Sequence, residues 1–355
     1  MPLDDFSKIR KLLLPLSWLY SAAMSVRNSF YEHRIFRAEK VNAPVISVGN
    51  INVGGTGKTP LVESIANSLI SSGFKTCVIS RGYRRESTGM VIVSRGYGPE
   101  VSVAKAGDEP FMLATLIPEL QVIVNIDRVE AAQYAIQELD VDVLLLDDGF
   151  QHRSIARDLD IVIVPADDVL RKESVLPAGR LREPWKGLRR ANHIIITDIS
   201  KDVDTDTIID RVKHWSDAEI HIAQKTSLAE FHAPAKDEIL SIEQFSTTPK
   251  VFAVTGIGNP DQFRQGLENA GVELIEFKTY PDHFAYPLEA QILLIEEFKN
   301  SGADFFIMTA KDYVKWNQNY LEDYPIFYLP VTYHLDSSFL QKILTHIKEL
   351  THESS

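Results

Sequence analysis

The sequence predicts an α/β fold with a mainly parallel sheet, a smaller C-terminal α/β lobe and a separate N-terminal helix. Three observations predict it. From Pro44 onward, short apolar runs alternate with stretches of helical periodicity, the pattern of βα units. A glycine-rich turn joins the first of these runs to the first helix. A basic, apolar segment precedes both, in a chain whose net charge is −12. The divisions that follow are 1–40 for the N-terminal helix, 41–220 for the core and 221–355 for the C-terminal lobe.

The N-terminal segment carries seven basic residues against four acidic ones over positions 1–40. Within it, Leu12 to Val26 is fifteen mostly apolar residues, too few for a bilayer span of about 20. Trp18 and Tyr20 are aromatics favoured at the headgroup level, and the flanking cations suit anionic lipid. Asp4 and Asp5 in the would-be leader argue against a secretory signal. The segment reads as an interfacial or shallow membrane anchor, with a plain core helix as the alternative.

Val45-Ile46-Ser47-Val48 reads as a buried strand. The turn Ser47–Thr59 contains Gly54, Gly55, Thr56, Gly57, Lys58 and Thr59, and a helix over 59–71 follows. Backbone N–H groups at such a turn, with the positive end of the helix behind them, cradle phosphate. Lys58 is placed to reach the β/γ-phosphates and Thr59 to take a position on Mg²⁺. The consensus asks for a further glycine where this chain has Asn52. The turn therefore predicts a P-loop NTPase core that binds ATP with Mg²⁺.

Strand 75–80 completes a βαβ unit and leads into Ser80-Arg81-Gly82-Tyr83-Arg84-Arg85 at a carboxyl edge, where parallel sheets bind ligands. The stretch 90–103 reads as an excursion from the core. Asp108 and Glu109 open the helix 110–117, and spacing alone makes them cap and dipole residues. Strand 121–125, a helix opened by Asp127 and strand 142–147 follow. The last ends in Asp147-Asp148, the strand-tip acids that hold metal in such enzymes. Strands 160–164 and 193–197 flank the loop Pro177–Pro184, whose arginines Arg180 and Arg182 suit a phosphorylated group. The polar span 200–250, with short strand candidates such as Glu219–Ala223, reads as a transition between lobes.

A second α/β run starts at Lys250, with strands 250–255, 272–278, 304–309 and 326–329 and helices 287–300 and 336–349. A lone histidine such as His283 is more often packed or solvated than catalytic. Cys77 has no partner for a disulfide and no Cys/His cluster has zinc spacing, which points to a reducing compartment. The acidic charge excludes a nucleic-acid-coating role.

Taken together and in order, Gly49-Asn50, Gly54–Pro60, Ser80–Tyr83, Gly107–Pro110, Asp147–His152, Pro177–Pro184, Gly256–Pro260 and Asp282-His283 resemble the tetraacyldisaccharide 4′-kinases. The resemblance runs from the N-terminal helix to about residue 315. It implies a membrane-associated kinase of lipid A synthesis that moves the γ-phosphate of ATP to the 4′-hydroxyl of an acylated glucosamine disaccharide 1-phosphate. It also implies attachment at the cytoplasmic face of the inner membrane. By the same resemblance, Asp108 acts with His283 to activate the sugar hydroxyl, Lys58 offsets phosphoryl charge, and Thr59, Asp147, Asp148 and Glu109 surround Mg²⁺. The family's Thr-Glu-Lys-Asp is Thr309-Ala310-Lys311-Asp312 here. A dimeric switch ATPase is disfavoured because Val53 stands where that class carries lysine. A non-enzymatic adaptor is disfavoured by the intact Lys58, Thr59, Asp147 and Asp148.

Overall fold

The computed structural model describes residues 3–54, 57–199, 203–227 and 230–353. Gly55 and Thr56 of the phosphate-loop sequence lie outside the described residues. The main sheet is built from β1 (Val45–Asn50), β2 (Thr76–Ser80), β3 (Val91–Arg95), β4 (Gln121–Val124), β5 (Val143–Asp147), β6 (Leu159–Pro165), β7 (His193–Thr197) and β8 (Glu219–Ile222). Their order is β3-β4-β2-β5-β1-β6-β7-β8, and every pair is parallel except β3 with β4. Strands β1, β2 and β5 are buried along their whole length. Burial on both faces explains why they read as continuous Val/Ile/Leu runs rather than alternating ones.

One stretch differs from the sequence expectation, and a second finds its place in the sheet. Residues 91–95 do not leave the core but form the antiparallel edge strand β3, with Val93 and Ser94 buried. The strand candidate of the polar span after 200 is β8, which extends the main sheet beside β7. Both are edge elements with one solvated side, so their composition hides their sheet membership.

The strands β9 (Gln224–Ser227), β10 (Glu230–Ala233), β11 (Glu238–Ser241), β12 (Lys250–Thr255), β13 (Glu273–Thr279), β14 (Phe305–Thr309), β15 (Ile326–Leu329) and β16 (Val331–His334) follow. Six of them form a second sheet in the order β11-β10-β15-β14-β12-β13, while β16 pairs with β9. The helix Ser337–Glu353, expected with the second lobe, packs instead against the first. Phe339, Ile343, Leu344 and Ile347 join Ile46, Val48, Leu61 and Ile65 in one apolar cluster. The chain thus crosses to the second sheet and returns.

The helix Asp108–Leu116 ties the two lobes. Leu113 and Ala114 pack into the main-sheet cluster, while Met112 packs into the second-lobe cluster with Phe252, Tyr286 and Phe306. Gly107 precedes it at φ 88, where a Cβ would crowd the Tyr83 carbonyl at 3.1 Å, so this entry requires glycine.

The N-terminal helix α1 (Leu3–Glu32) docks on the main lobe by polar contacts. The Ser17 hydroxyl accepts from the Ala178 amide at 2.9 Å, and Tyr20 donates to the Arg182 carbonyl at 2.8 Å. Asn28 donates to Glu183 at 3.1 Å. Leu12, Leu16, Leu19, Val26 and Phe30 are exposed, and their spacing by three, four or seven residues puts them on one stripe. Among the described residues, no helix is long and apolar enough to cross a membrane.

Phe339 is fully buried at the return of the C-terminal helix. Phe339→Ala is expected to lower unfolding free energy by about 3–5 kcal/mol, the cost of a buried Phe cavity. Denaturant unfolding measures it, and a change under 1 kcal/mol would contradict the packing described.

Candidate functional site

Three neighbouring strands end side by side. Register pairs Val48 of β1 with Asp147 of β5, and Ile79 of β2 with Leu146 of β5. The phosphate-loop turn, the Asp147 carboxylate and Ser80 therefore emerge at one carboxyl edge. Gly57 caps α2 (Lys58–Ser71) at φ 77, and a Cβ there would lie 1.7 Å from the Tyr333 hydroxyl. Only glycine fits that approach.

Asn52, the departure from the consensus, is fully buried. Its side chain accepts from Asn50 Nδ2 at 2.9 Å and donates to Asp168 Oδ2. The Val53 amide donates to the Arg180 carbonyl at 2.7 Å, and the Arg182 amide to the Ile51 carbonyl at 2.6 Å. A side-chain network and the 177–184 loop thus hold the turn where the consensus relies on glycine.

At the strand tip, Ser80 Oγ donates to Asp147 Oδ2 at 2.9 Å. Among the described residues, Asp147 Oδ1 is buried with no hydrogen-bond partner. Burial pushes the Asp147 carboxyl up, and the charge of Asp148 adds to the effect. Asp148 is also pushed up by burial, but Lys58 and Arg182 more than reverse this and hold it below the usual carboxylate range. Lys58 Nζ lies 3.5 Å from Asp148 Oδ1, and Arg182 Nη1 lies 2.8 and 2.7 Å from the two oxygens. Asp148 adopts φ 51, a backbone state uncommon for a residue with a Cβ and concentrated at functional sites.

Glu109 stands between this cluster and a second one. Burial, then the charge of Asp147, pushes its carboxyl up to about 7, with Lys311 and Lys58 opposing. Its neighbour Asp108 meets the second lobe: Asp108 Oδ2 lies 2.8 Å from His283 Nδ1, 2.9 Å from Lys315 Nζ and 3.7 Å from Lys311 Nζ. Burial would raise the Asp108 carboxyl, but Lys315, His283 and Lys311 hold it below its usual value. His283 Nε2 faces Lys311 Nζ at 3.5 Å and Asp282 Oδ2 at 3.5 Å.

Second-lobe strand ends supply all of these partners. His283 follows β13, with φ 67 and its amide donating to the Gly256 carbonyl at 3.1 Å. Lys311 and Lys315 follow β14. Asp312 is fully buried and accepts from Thr309 Oγ1, Gly256 N and Thr255 Oγ1 at 2.6, 3.0 and 3.2 Å. Ala310 opens this short helix behind the Thr309 cap and packs against the second-lobe core, a placement that needs no carboxylate.

Sequence reasoning missed Lys315, whose side chain is almost wholly buried and which anchors both Asp108 and the Phe284 carbonyl at 3.1 Å. Its spacing of one helical turn from Lys311 was the available signal. It also missed the Asn52–Asp168 pair, whose 116-residue separation leaves no local trace. Of the loop arginines expected to suit a phosphorylated group, Arg182 is spent on Asp148 and Arg180 reaches the Val53 carbonyl at 3.5 Å; in the basic turn after β2, Arg84 lies over the Tyr83 ring at 5.5 Å and Arg81 is exposed.

A phosphate loop with strand-tip acids, closed over by a lobe presenting a histidine on a carboxylate, defines a P-loop phosphotransferase. The comparisons specify which one. Residues 9–348 match the family model LpxK, tetraacyldisaccharide-1-P 4′-kinase. The tetraacyldisaccharide 4′-kinase of Chlorobaculum parvum is 39% identical over 315 residues, covering 87% of this chain and 84% of its own. That of Aquifex aeolicus is 34% identical over 310 residues, 86% and 90% of the two chains. The crystal structure of Aquifex aeolicus LpxK in complex with ATP superposes with TM-score 0.78 at 31% identity, over 97% of this chain and 99% of that one. The chain belongs to the tetraacyldisaccharide-1-P 4′-kinase family. It is an ATP-dependent kinase that phosphorylates the 4′ position of a tetraacyl disaccharide 1-phosphate in lipid A biosynthesis.

The raised Glu109 carboxyl has a stability consequence. An acid whose folded-state pKa is raised costs nothing below its unfolded value near 4.5; the cost grows as pH climbs to about 7 and is constant above. Without ATP, Glu109→Gln is expected to be the more stable protein at pH 8 by on the order of 1–3 kcal/mol, with the difference vanishing near pH 4.5. Denaturant midpoints at the two pH values test this; equal offsets at both would reject it.

Proposed function

We propose that Gly54, Gly55, Thr56, Gly57, Lys58 and Thr59 bind the phosphates of ATP. Asp108 and His283 activate the sugar hydroxyl. The observation that carries this reading is the 2.8 Å contact between His283 Nδ1 and Asp108 Oδ2 at the junction of the lobes. Asp108 is surrounded by Lys315, Lys311 and His283, so it is held ionised and is a weak proton acceptor. It suits the task of accepting the Nδ1 proton and turning the Nε2 lone pair of His283 outward, the division of labour in carboxylate–histidine pairs.

In this reading the 4′-oxygen attacks the γ-phosphorus while its proton passes to His283 Nε2. The new O–P bond forms as the bond to the β-phosphate oxygen breaks, and ADP leaves. Lys58 stabilises the charge carried by the transferring group; Lys311, beside Nε2, adds positive charge on the acceptor side. Catalysis of phosphoryl transfer is chiefly this positioning and electrostatics.

The acids fit a magnesium ion. Asp147 Oδ1 is buried without a partner among the described residues, and Asp147 and Glu109 are both pushed up by burial and by nearby negative charge, as expected where a cation belongs. Thr59, Asp147, Asp148 and Glu109 would hold it, with Asp148 also tied to Lys58 and Arg182. Mg²⁺ supplies neutralisation of charge on the phosphates.

The outward stripe of Leu12, Leu16, Leu19, Val26 and Phe30 supports a shallow seat for α1 on the cytoplasmic leaflet of the inner membrane, where an acylated substrate enters without leaving the lipid. The polar contacts made by Ser17, Tyr20 and Asn28, beside that stripe, keep α1 attached to the 177–184 loop beside the nucleotide turn.

Transfer of labelled γ-phosphate from Mg-ATP to detergent-solubilised tetraacyl disaccharide 1-phosphate tests the site. His283→Ala and Asp108→Asn are expected to lose about 10²–10⁴-fold in kcat with ATP affinity retained. Lys58→Ala is expected to lose about 10²–10³-fold. Undiminished transfer in His283→Ala would remove the proton-acceptor role. Separately, the double variant Leu16→Asp, Leu19→Asp is expected to bind anionic vesicles at least tenfold more weakly, with transfer in detergent unchanged; unaltered vesicle sedimentation would overturn the seat proposed for α1.

A further inference from the structure

At the edge of the main sheet farthest from β3, register sets His193 of β7 opposite Glu219 of β8, with Ile195 opposite His221. Strand period 2 puts His193, Glu219 and His221 on one face. That face lies under the C-terminal helix, whose Phe339 ring sits 5.5 Å from the His193 ring and 4.6 Å from that of His221. Among the described residues, these three form the one group of His, Cys, Asp or Glu whose ligand atoms all lie within 4.8 Å of one another. His193 Nδ1 is 3.1 Å from His221 Nε2 and 3.8 Å from Glu219 Oε2; His221 Nε2 is 3.9 Å from Glu219 Oε1.

The geometry points to a binding site for a borderline divalent transition metal, Zn²⁺ above all, held by His193 Nδ1, His221 Nε2 and a Glu219 oxygen. A tetrahedral zinc with bonds of about 2.0–2.2 Å spaces its ligand atoms by roughly 3.3 Å, close to the spacings found. Two imidazoles and one carboxylate are a zinc donor set, and hard cations such as Mg²⁺ prefer oxygen throughout. The set leaves a fourth position for water.

The protonation states agree with this. Burial, together with the neighbouring His221, pulls His193 down to about 4, and burial pulls His221 down as well. Both rings are therefore neutral at pH 7 and offer lone pairs. The 3.1 Å contact between the two nitrogens means that one donates to the other in the metal-free protein. Metal binding needs that ring to move its proton to the opposite nitrogen, and no net proton is released. Glu219 already neutralises a cation, Lys342 of the C-terminal helix, which competes with the metal for the carboxylate. His193 and His221 lie on the sheet's last two strands, so a bound ion ties β8 to β7 at an edge that has no further strand.

The site is far in sequence from the residues assigned to transfer, and its test does not depend on activity. The full chain, stripped with chelator and dialysed into excess Mg²⁺, is titrated calorimetrically with Zn²⁺ alone. One zinc per chain is expected, with affinity falling at least tenfold in His221→Gln and in Glu219→Gln. Lys342→Ala, on an exposed side chain, is expected to bind several-fold more tightly because it frees Glu219. Added Co²⁺ is expected to give the visible absorption of a tetrahedral centre in the wild type and to lose it in His221→Gln. No zinc binding by the folded wild type, or equal affinity in wild type, His221→Gln and Glu219→Gln, would overturn the site. Unchanged affinity in Lys342→Ala would remove Glu219 from the ligand set.

Discussion

The Asp108–His283 contact is the interaction on which the functional arrangement depends. Each partner stands at the end of a different lobe, and neither reaches the other without the fold that brings the two carboxyl edges together. The contact is charge-assisted and partly buried, where an ion pair is screened far less than at the surface. Lys315 makes it durable. A buried carboxylate with a single neutral partner would take up a proton, but one held by two lysines as well as an imidazole stays ionised. The state of Asp108 is thus decided by residues more than 170 positions away.

The same logic runs through the nucleotide side in the opposite sense. Asp147 and Glu109 crowd like charge into a buried space without enough cation to balance it, and both are pushed toward the neutral form. Asp148, one residue along, is balanced by Lys58 and Arg182 and is held ionised. Adjacent carboxylates in one turn therefore differ in charge affinity because their neighbours differ, and the unbalanced pair marks where positive charge is still needed. The helix Asp108–Leu116 carries one member of each cluster at its first two positions, so the two sites share a rigid element rather than two loops.

Docking of α1 follows a division of faces. Ser17, Tyr20, Arg27 and Asn28 bond to the 151 and 177–184 segments, which also brace the nucleotide turn through Arg180 and Arg182. The apolar stripe runs beside these residues and stays exposed. A helix fixed by polar bonds on one side can present leucines and aromatics to an interface without needing that interface to fold.

Local chemistry was enough to predict the alternation of β1, α2 and β2, the strand ending in Asp147, and the second run from Lys250, because apolar periodicity and glycine placement act within a few residues. The order of Gly54–Pro60, Asp147–His152 and Asp282-His283 was likewise enough to point to the family. Only the tertiary structure decided that 91–95 is a sheet edge and that the strand at 219–222 joins the first sheet, since a half-solvated strand carries a weak apolar signal. It decided that the helix Ser337–Glu353 returns to the first lobe, because any apolar face of the right period suits either core. It decided, too, that Gly107 and not Asp108 caps the helix, and that the Asp108 carboxylate meets His283 of the other lobe. A carboxylate at a helix start and a histidine after a strand look ordinary one at a time; they are paired by a 2.8 Å approach across 175 residues of chain, and short-range pattern holds no record of that distance.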